Sequence, residues 1–157
     1  MVKILFICWG NICRSPMAEF IMKDLVKKAG LEKEFRIASA AVSTEEIWNG
    51  VGSPIYGPAQ DQLRKHSIPF DKGRRARLLV KEDYDRFDYL IGMDGQNIRR
   101  MNRLFSGDPE GKVNLLLAYG DRVREVSDPW YTRDFDLAYR DILEGCEGLL
   151  SELAGKK

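Results

Sequence analysis

The sequence predicts an α/β fold with a four-stranded parallel sheet, helices on both faces and an anion-binding loop between the first strand and the first helix. Short apolar runs of strand length alternate along the chain with longer segments in which apolar residues recur at helical spacing. This alternation is typical of βαβ units, whose strands pair in parallel beneath covering helices. A length of 157 residues, 44% of them hydrophobic, fits a single domain over residues 1–157.

Four apolar runs are the strand candidates. The first, residues 2–8 with the sequence VKILFIC, is long enough for a buried strand and too short for a helix. The other three lie at residues 35–40, 89–93 and 113–119. Segments broken by glycine and proline, at residues 42–57 and 120–132, are predicted to be loops.

The helices are predicted from periodicity and from end signals. The first begins at Pro16 with Ser15 as its N-cap, and it ends at Gly30. A second covers residues 58–66, and Asp94 caps a third that runs through residue 105. The last helix is marked by one apolar stripe: Phe135, Ala138, Tyr139, Ile142, Leu143, Cys146, Leu149, Leu150 and Leu153.

Composition and charge argue against several classes of protein. The 25 Lys and Arg residues nearly balance 24 Asp and Glu residues, so the net charge of +1 favours neither a nucleic-acid partner nor a membrane surface. The apolar stretch at residues 4–9 is too short to span a bilayer, and polar residues end it before a signal-peptide core could form. Three cysteines, an odd number, argue against a secreted disulfide framework. A reduced, cytoplasmic protein is therefore expected.

The segment with the clearest chemistry is CWGNICRSP, which leaves the first strand and enters the first helix. A short loop closing onto a helix start can turn its N–H groups inward as an anion-binding nest, and Gly10 and Asn11 both tolerate a positive φ. Arg14 would close the ring with a planar guanidinium that fits two oxygens of an oxyanion. Such a nest favours the thiolate form of Cys8, to which Ser15 can donate a hydrogen bond.

Other interpretations of this segment are weaker. It is not a nucleotide-binding Walker loop, because no Gly-Lys-Ser/Thr follows the glycine. A cysteine at a strand end is usually a small buried hydrophobe, and a bare Cys-x5-Arg spacing is common by chance. The order Gly10, Asn11, Arg14, Ser15 after a buried strand favours an oxyanion cradle with a nucleophile at its floor.

Cleavage of a phosphate ester also needs a proton donor for the leaving oxygen, and the loop contains none. Asp128, in the segment VSDPWY, is the best distant candidate. Pro129 makes the chain rigid after it, and Trp130 and Tyr131 offer flat aromatic surface. From the local sequence alone, ordinary Asp-Pro turn chemistry with core aromatics explains the same residues.

Together, CWGNICRSP and SDPWY resemble the low-molecular-weight protein tyrosine phosphatases. The resemblance extends over the whole chain and includes SAAVSTEEIWN and FDYLIGMD. It implies a four-stranded parallel sheet with helices on both sides and no metal or cofactor. It also implies that Cys8 is the nucleophile, that Arg14 holds the phosphoryl oxygens and that Asp128 is the general acid.

The resemblance further implies a substrate site for phosphotyrosine in proteins or peptides and for small aryl phosphates. Ser15 would support the thiolate and Asn11 would hold the loop in shape, while phosphate or another oxyanion would lie against the loop residues Trp9, Gly10, Asn11, Ile12, Cys13 and Ser15. Trp48, Trp130 and Tyr131 would form a wall around the aromatic ring, although a loop tryptophan such as Trp48 can also pack on its own loop.

Three alternatives share this loop. A protein-arginine phosphatase is the nearest, and Ile12 argues against it. The resemblance implies that relatives acting on phosphoarginine have a threonine at this position. An arsenate reductase needs further cysteines to relay a disulfide, and only Cys146 remains, far along the last helix. A non-catalytic phosphate-binding module would be favoured if Cys8 or Asp128 were missing, and both are present.

Some residues have two interpretations from sequence. Cys13 either captures an oxidised Cys8 as a disulfide or packs beneath the loop. Cys146 falls on the apolar stripe of the last helix and is expected in the core. The cluster Arg74, Arg75 and Arg77 is expected to be a solvated face, with attraction of acidic phosphopeptides as a weaker alternative.

Overall fold

The computed structural model of the protein describes residues 1–154. Its six strands are β1 (Val2–Cys8), β2 (Phe35–Ala41), β3 (Ile47–Trp48), β4 (Val51–Gly52), β5 (Tyr89–Gly92) and β6 (Val113–Leu115). Four of them form one parallel sheet in the order β2-β1-β5-β6, and β3 and β4 form a separate antiparallel hairpin. The predicted four-stranded parallel sheet is therefore confirmed.

The helices follow the strands in alternation. They are α1 (Arg14–Lys28), α2 (Gly57–Lys65), α3 (Asp83–Arg86), α4 (Gly95–Leu104), α5 (Pro129–Thr132) and α6 (Phe135–Ala154), with short 3₁₀ turns at Glu32–Glu34 and Leu116–Tyr119. Asp94 caps α4 as predicted: its side chain accepts the N–H of Asn97, whose own side chain accepts the N–H of Asp94. This reciprocal pair is a capping box, which satisfies two donors at the helix start.

Strand β1 lies at the centre of the fold because both of its faces are covered. Ile4 and Phe6 belong to the core formed with α1, α2 and α6, whereas Leu5 and Ile7 belong to the core formed with α3 and α4. All four side chains are fully buried, as expected for a parallel strand with helices on both faces. Cys146 lies in the first of these cores, which confirms its predicted place.

Four local predictions were wrong. The predicted loop at residues 120–132 ends in a helix, because Pro129–Thr132 form α5. Residues 42–57 are not all loop, because Asn49 and Gly50 adopt φ angles of 51° and 79° and turn the chain into the β3–β4 hairpin. An Asn-Gly pair is a strong hairpin signal, since a type I′ turn needs positive φ at both positions. The N-cap of α1 is Cys13 and not Ser15. The fourth strand is shorter than predicted, and the chain forms a 3₁₀ turn from Leu116 onward.

The end of β1 lies at the point where the order of the strands in the sheet reverses. The chain passes from β1 to β2 on one side and later returns to β5 on the other side. Ligands of open α/β sheets bind beyond the carboxyl ends of the strands at such a switch point. The loop that begins at Cys8 therefore lies where the topology opens a crevice.

Candidate active site

The loop between β1 and α1 is fixed by backbone hydrogen bonds to the segments beside it. The N–H of Val42 donates to the carbonyl of Cys8 at 3.1 Å, and that of Ser43 donates to Trp9 at 3.1 Å. The N–H of Tyr56 donates to the carbonyl of Ile12 at 2.8 Å. These carbonyls point away from the loop centre, whereas the N–H groups of Gly10, Ile12 and Cys13 have no acceptor among residues 1–154.

The thiol of Cys8 lies at the floor of this loop and is 4% exposed. Its sulfur accepts the backbone N–H of Asn11 at 3.3 Å and lies 3.0 Å from the hydroxyl oxygen of Ser15. Both contacts stabilise a thiolate, since each places a donor against the sulfur. Ser15 is free for this contact because it lies inside the first turn of α1 and does not cap the helix.

Asn11 gives the loop its shape. Its φ of 59° lies in the left-handed region, where asparagine is tolerated better than most residues. Its side chain donates to the hydroxyl of Ser15 at 2.8 Å and is itself fully buried. Gly10 does not adopt a positive φ; a Cβ at this position would lie 3.2 Å from the Glu46 side chain, so glycine there serves close packing.

The carbonyl groups of Asn11 are held by an arginine from a distant part of the chain. The guanidinium of Arg74 donates to the backbone oxygen of Asn11 at 2.8 Å and to its side-chain oxygen at 2.6 Å. It also donates to the hydroxyl of Ser39 at 3.1 Å, which in turn donates to Glu19 at 2.6 Å. Burial lowers the pKa of Arg74, and the nearby charge of Glu19 opposes that shift. Arg74 is thus a partly buried support of the loop and not part of a solvated face.

Arg14 is buried at the rim of the loop and held by three groups. Its guanidinium donates to the Asp94 carboxylate at 2.7 Å and to the Val126 carbonyl at 3.1 Å, and it lies 3.6 Å from the Asp128 carboxylate. Burial alone would lower the pKa of Arg14, but the negative charges of Cys8, Asp94 and Asp128 raise it above its ordinary value. The side chain is therefore a fixed cation beside the sulfur.

Asp128 faces the loop from the start of α5. One carboxylate oxygen accepts the backbone N–H of Trp130 at 3.0 Å, which makes Asp128 the N-cap of this short helix. The other oxygen is the one near Arg14. The residues predicted as nucleophile, oxyanion clamp and general acid thus meet at one cavity, although 120 positions of sequence separate Cys8 from Asp128.

The segment before Asp128 is tied to α6 by a charged cluster. The Arg124 guanidinium donates to the carboxylates of Glu144 at 2.9 Å and Asp141 at 3.0 Å. Asp141 also accepts the backbone N–H of Ser127, the residue before Asp128, at 2.9 Å. Hydrogen bonding by Arg124 lowers the pKa of the Glu144 carboxyl. This cluster holds residues 124–127 against α6 and thereby fixes the position of Asp128, the next residue.

The cavity above the loop has a volume of about 460 Å³. It is lined by Cys8, Trp9, Gly10, Ile12, Cys13, Arg14, Glu45, Glu46, Gln96, Asp128, Trp130 and Tyr131. Trp130 and Tyr131 are exposed at its mouth, as a wall for an incoming aromatic ring requires. Trp48 is not among the lining residues and is 73% exposed on the β3–β4 hairpin. Asn11 and Ser15 lie behind the loop, where they shape it from the protein side.

Sequence reasoning missed Asp94, Arg74 and Asp141. Asp94 had a usable signal, because it lies two residues after the end of β5, a strand of the same parallel sheet, and therefore at the same edge as Cys8. Arg74 and Asp141 had none, since each acts through a loop that only the tertiary fold brings near. Among residues 1–154, no group of three or more metal-ligating side chains could hold a metal ion, and no helix has the length and apolar character needed to cross a membrane.

The comparisons with known proteins agree on one family. The sequence profile described as Low molecular weight phosphotyrosine protein phosphatase matches residues 3–157. The low molecular weight protein-tyrosine-phosphatase YfkJ of Bacillus subtilis is 38% identical over 100% of this chain and 99% of its own length. Its crystal structure superposes with a TM-score of 0.92, covering 100% of this chain and 97% of that one.

Two further relatives show the breadth of the likeness. The low molecular weight phosphotyrosine protein phosphatase of Gallus gallus is 36% identical, with 96% of this chain and 94% of its own length covered. The crystal structure of a Drosophila arginine phosphatase has a TM-score of 0.82 at 32% identity and covers 98% of each chain. The fold is thus shared by proteins whose names state different phosphorylated residues.

The partly buried contact between Arg74 and Asn11 generates a prediction. Replacing Arg74 by alanine removes the donor to the backbone oxygen of Asn11, while its side-chain oxygen keeps only the N–H of Arg77 at 3.1 Å. An acceptor left unsatisfied in this loop costs on the order of 1–3 kcal/mol. We expect Arg74→Ala to lower the free energy of unfolding in urea and to weaken the binding of inorganic phosphate, measured by calorimetric titration.

Arg75→Ala is the matched control for this prediction, because Arg75 is the next residue and is exposed. It should leave both quantities close to those of the unmodified protein. Equal behaviour of the two variants would show that Arg74 does not support the loop.

Proposed function

The chain belongs to the low molecular weight phosphotyrosine protein phosphatase family, and we propose that it hydrolyses phosphotyrosine in proteins and peptides through a cysteinyl-phosphate intermediate on Cys8. The observation that supports this most is the meeting of three groups at one cavity. A thiol with two donors against its sulfur lies below, a buried arginine lies beside it, and a carboxyl group faces both. Small aryl phosphates would react at the same site.

In the first step, the sulfur of Cys8 attacks phosphorus in line with the leaving oxygen. An S–P bond forms while the P–O bond to the phenol breaks, and the bonding electrons leave with the phenolic oxygen. Arg14 and the free N–H groups of the loop stabilise charge on the three remaining oxygens. Asp128, protonated at this stage, gives its proton to the departing oxygen.

In the second step, the phosphoryl group passes from Cys8 to water. Asp128 is now a carboxylate and takes a proton from the water as its oxygen bonds to phosphorus. The S–P bond breaks, the thiolate returns, and inorganic phosphate leaves the loop. The same carboxyl group thus serves as acid and then as base, and the reaction returns every group to its starting state without a cofactor.

The site geometry supports an aryl substrate. The sulfur lies at the bottom of a cavity whose mouth carries Trp130 and Tyr131, and the Trp130 ring is braced by Tyr56 at a centroid distance of 4.9 Å. A phosphorylated phenol is long enough to bring its phosphorus to the floor while its ring contacts these aromatic side chains. Phosphoserine has a shorter side chain, so its phosphate does not come as close to the sulfur of Cys8.

A protein-arginine phosphatase is the second candidate, and the likeness to a Drosophila arginine phosphatase is the observation that favours it. Ile12 lines the cavity with an apolar side chain. A guanidinium against this surface keeps N–H groups partly unpaired, which costs on the order of 1–3 kcal/mol. Glu45 and Glu46 at the rim could accept from a guanidinium, so Ile12 and these two carboxylates favour different substrates.

The other two alternatives have less support. Arsenate reduction requires a cysteine relay, and Cys146 is fully buried in the core with its thiol against the Ala18 carbonyl at 3.8 Å. A non-catalytic binding module would not need a carboxyl group facing the thiol.

The three cysteines are free, which supports a reducing compartment such as the cytoplasm.

The substrate class is tested with a panel of peptides of one sequence that contain phosphotyrosine, phosphoserine, phosphothreonine or phosphoarginine. We expect phosphotyrosine to give the highest kcat/KM. Ile12→Thr should shift the ratio of kcat/KM values toward phosphoarginine, because the hydroxyl can pair with the guanidinium. An unmodified enzyme that prefers phosphoarginine would contradict the phosphotyrosine assignment.

The roles of Cys8 and Asp128 are separated by the leaving group. Asp128→Asn keeps an N-cap for α5, since asparagine caps as well as aspartate, but it removes the proton. We expect a loss of about 10²–10⁴-fold in kcat for a poor phenol leaving group. The loss should be much smaller for an activated phenol that departs without a proton.

Cys8→Ser should abolish turnover for both leaving groups while phosphate still binds, because the loop and Arg14 remain. If Asp128→Asn loses the same factor with both phenols, Asp128 has a structural role and the general-acid assignment fails.

We also propose that Cys13 protects Cys8 from irreversible oxidation. Peroxide oxidises the Cys8 thiolate to a sulfenic acid, and the Cys13 thiol then attacks that sulfur, forming a disulfide and releasing water. Burial raises the pKa of the Cys13 thiol, so it must lose its proton during the attack. Packing of Cys13 beneath the loop is the competing interpretation.

Peroxide should inactivate the enzyme, and a dithiol should restore it. Cys13→Ala should be active when reduced but recover poorly after peroxide, because Cys8 proceeds to the sulfinic acid. Activity before and after dithiol treatment, with peptide mapping of the Cys8–Cys13 link, measures this. Equal recovery of both proteins would leave Cys13 with a packing role only.

A further inference from the structure

A second cavity, of about 450 Å³, lies on the α4 face of the sheet. We call it the α4 groove; it is lined by Val42, Leu78, Leu79, Arg100, Arg103 and Leu104. Leu78 and Leu104, which both line this groove, are each 38% exposed, which is high for leucines. Its lining therefore combines apolar side chains and arginines, with no acidic residue.

The two arginines of the α4 groove have no carboxylate partner. Arg100 and Arg103 are exposed on α4, and neither forms an ion pair with any carboxylate among residues 1–154. By contrast, Arg14, Arg77 and Arg124 each pair with one or more carboxylates. No carboxylate of the described residues therefore offsets the positive charge of the groove.

The α4 groove adjoins the candidate active site through two residues. Val42 lines the groove, and its N–H donates to the carbonyl of Cys8 at 3.1 Å. The guanidinium of Arg100 lies 4.5 Å above the ring of Trp9, which lines the active-site cavity. The indole N–H of Trp9 also donates to the Glu45 carboxylate at 2.7 Å. Trp9 is therefore a fixed ridge between the cavity and the groove.

We propose that the α4 groove binds an acidic and apolar stretch of the polypeptide that contains the phosphotyrosine, a proposal that rests on the phosphatase function proposed above. The chain of a substrate that leaves the cavity over Trp9 reaches the groove directly. Its Asp or Glu side chains pair with Arg100 and Arg103, and an apolar side chain packs between Leu78 and Leu104. The groove thereby selects among phosphotyrosine proteins.

The charge pattern around the cavity favours a peptide over a membrane surface. Glu45 and Glu46 lie on the rim of the active-site cavity, beside the β3–β4 hairpin. A flat anionic bilayer laid across the mouth would bring its headgroups against these carboxylates as well as against the arginines. A peptide whose negative charge is confined to one stretch contacts the arginine side alone.

The test uses three phosphotyrosine peptides of equal length. One has a four-residue stretch of Glu and Leu before the phosphotyrosine, one has this stretch after it, and the reference peptide has Gln and Ser in both places. For at least one of the acidic peptides, we expect kcat/KM to exceed that of the reference by about three- to tenfold, as two exposed ion pairs and one apolar contact allow, mainly through a lower KM. The excess should shrink as salt is added.

Arg103→Glu and Leu104→Ser should each remove most of this excess. Arg140→Glu is the matched control, because it makes the same change of charge at an exposed position on α6, across the sheet from α4. Comparing ratios of kcat/KM within each variant cancels any general loss of activity.

A preference that is absent in the unmodified enzyme, or that survives Arg103→Glu, overturns the proposal. Loss of co-sedimentation with phosphatidylserine-containing vesicles in Arg103→Glu, without any peptide preference, would instead assign the groove to a membrane and also overturn it. Normal hydrolysis of all three peptides at equal rates refutes only the groove, whereas failure to hydrolyse any of them, or a small aryl phosphate, refutes the proposed function itself.

Discussion

The partly buried contact between Arg74 and Asn11 is the interaction on which the rest of the site depends. A left-handed residue inside a five-residue loop is held in place only if its carbonyl groups find donors away from the loop centre. With both oxygens of Asn11 bound by Arg74, its own N–H and side-chain amide point the other way, toward the sulfur of Cys8 and the hydroxyl of Ser15. The shape of the loop is thus set from behind, before any ligand arrives.

The second constraint is the balance of charge around Arg14. A buried guanidinium is costly unless it is paired, and Asp94 supplies the close partner at 2.7 Å. This leaves Asp128, at 3.6 Å, as the looser partner, whose carboxyl group remains available to the cavity. The Val126 carbonyl fixes the arginine and also joins the Asp128 segment to the end of β5, where the N–H of Val126 donates to Met93 at 2.9 Å. One cation therefore aligns both the oxyanion cradle and the segment that bears the proton donor.

The parts of the fold that the sequence predicted are those fixed by local pattern. The run from Val2 to Cys8 and the stripe of α6 follow directly from apolar periodicity, and the cap at Asp94 follows from the chemistry of helix starts. Ser15 does not cap α1, although its residue type favours that position; it lies inside the first turn, and its hydroxyl contacts the Cys8 sulfur. The sequence RRAR predicts a solvated cluster, because no local pattern in it distinguishes Arg74, which contacts the loop, from its neighbours.

The most direct test of this account is the affinity for inorganic phosphate, measured by calorimetric titration, of the Asn11→Gly variant. Glycine adopts a φ near 59° without strain, so the substitution keeps the turn and removes only the side-chain hydrogen bonds to Ser15, Arg74 and Arg77. If those bonds hold the loop in its binding shape, the affinity should fall by about tenfold or more, the equivalent of one or two buried hydrogen bonds. An affinity equal to that of the unmodified protein would show that the backbone turn suffices, and it would contradict the account.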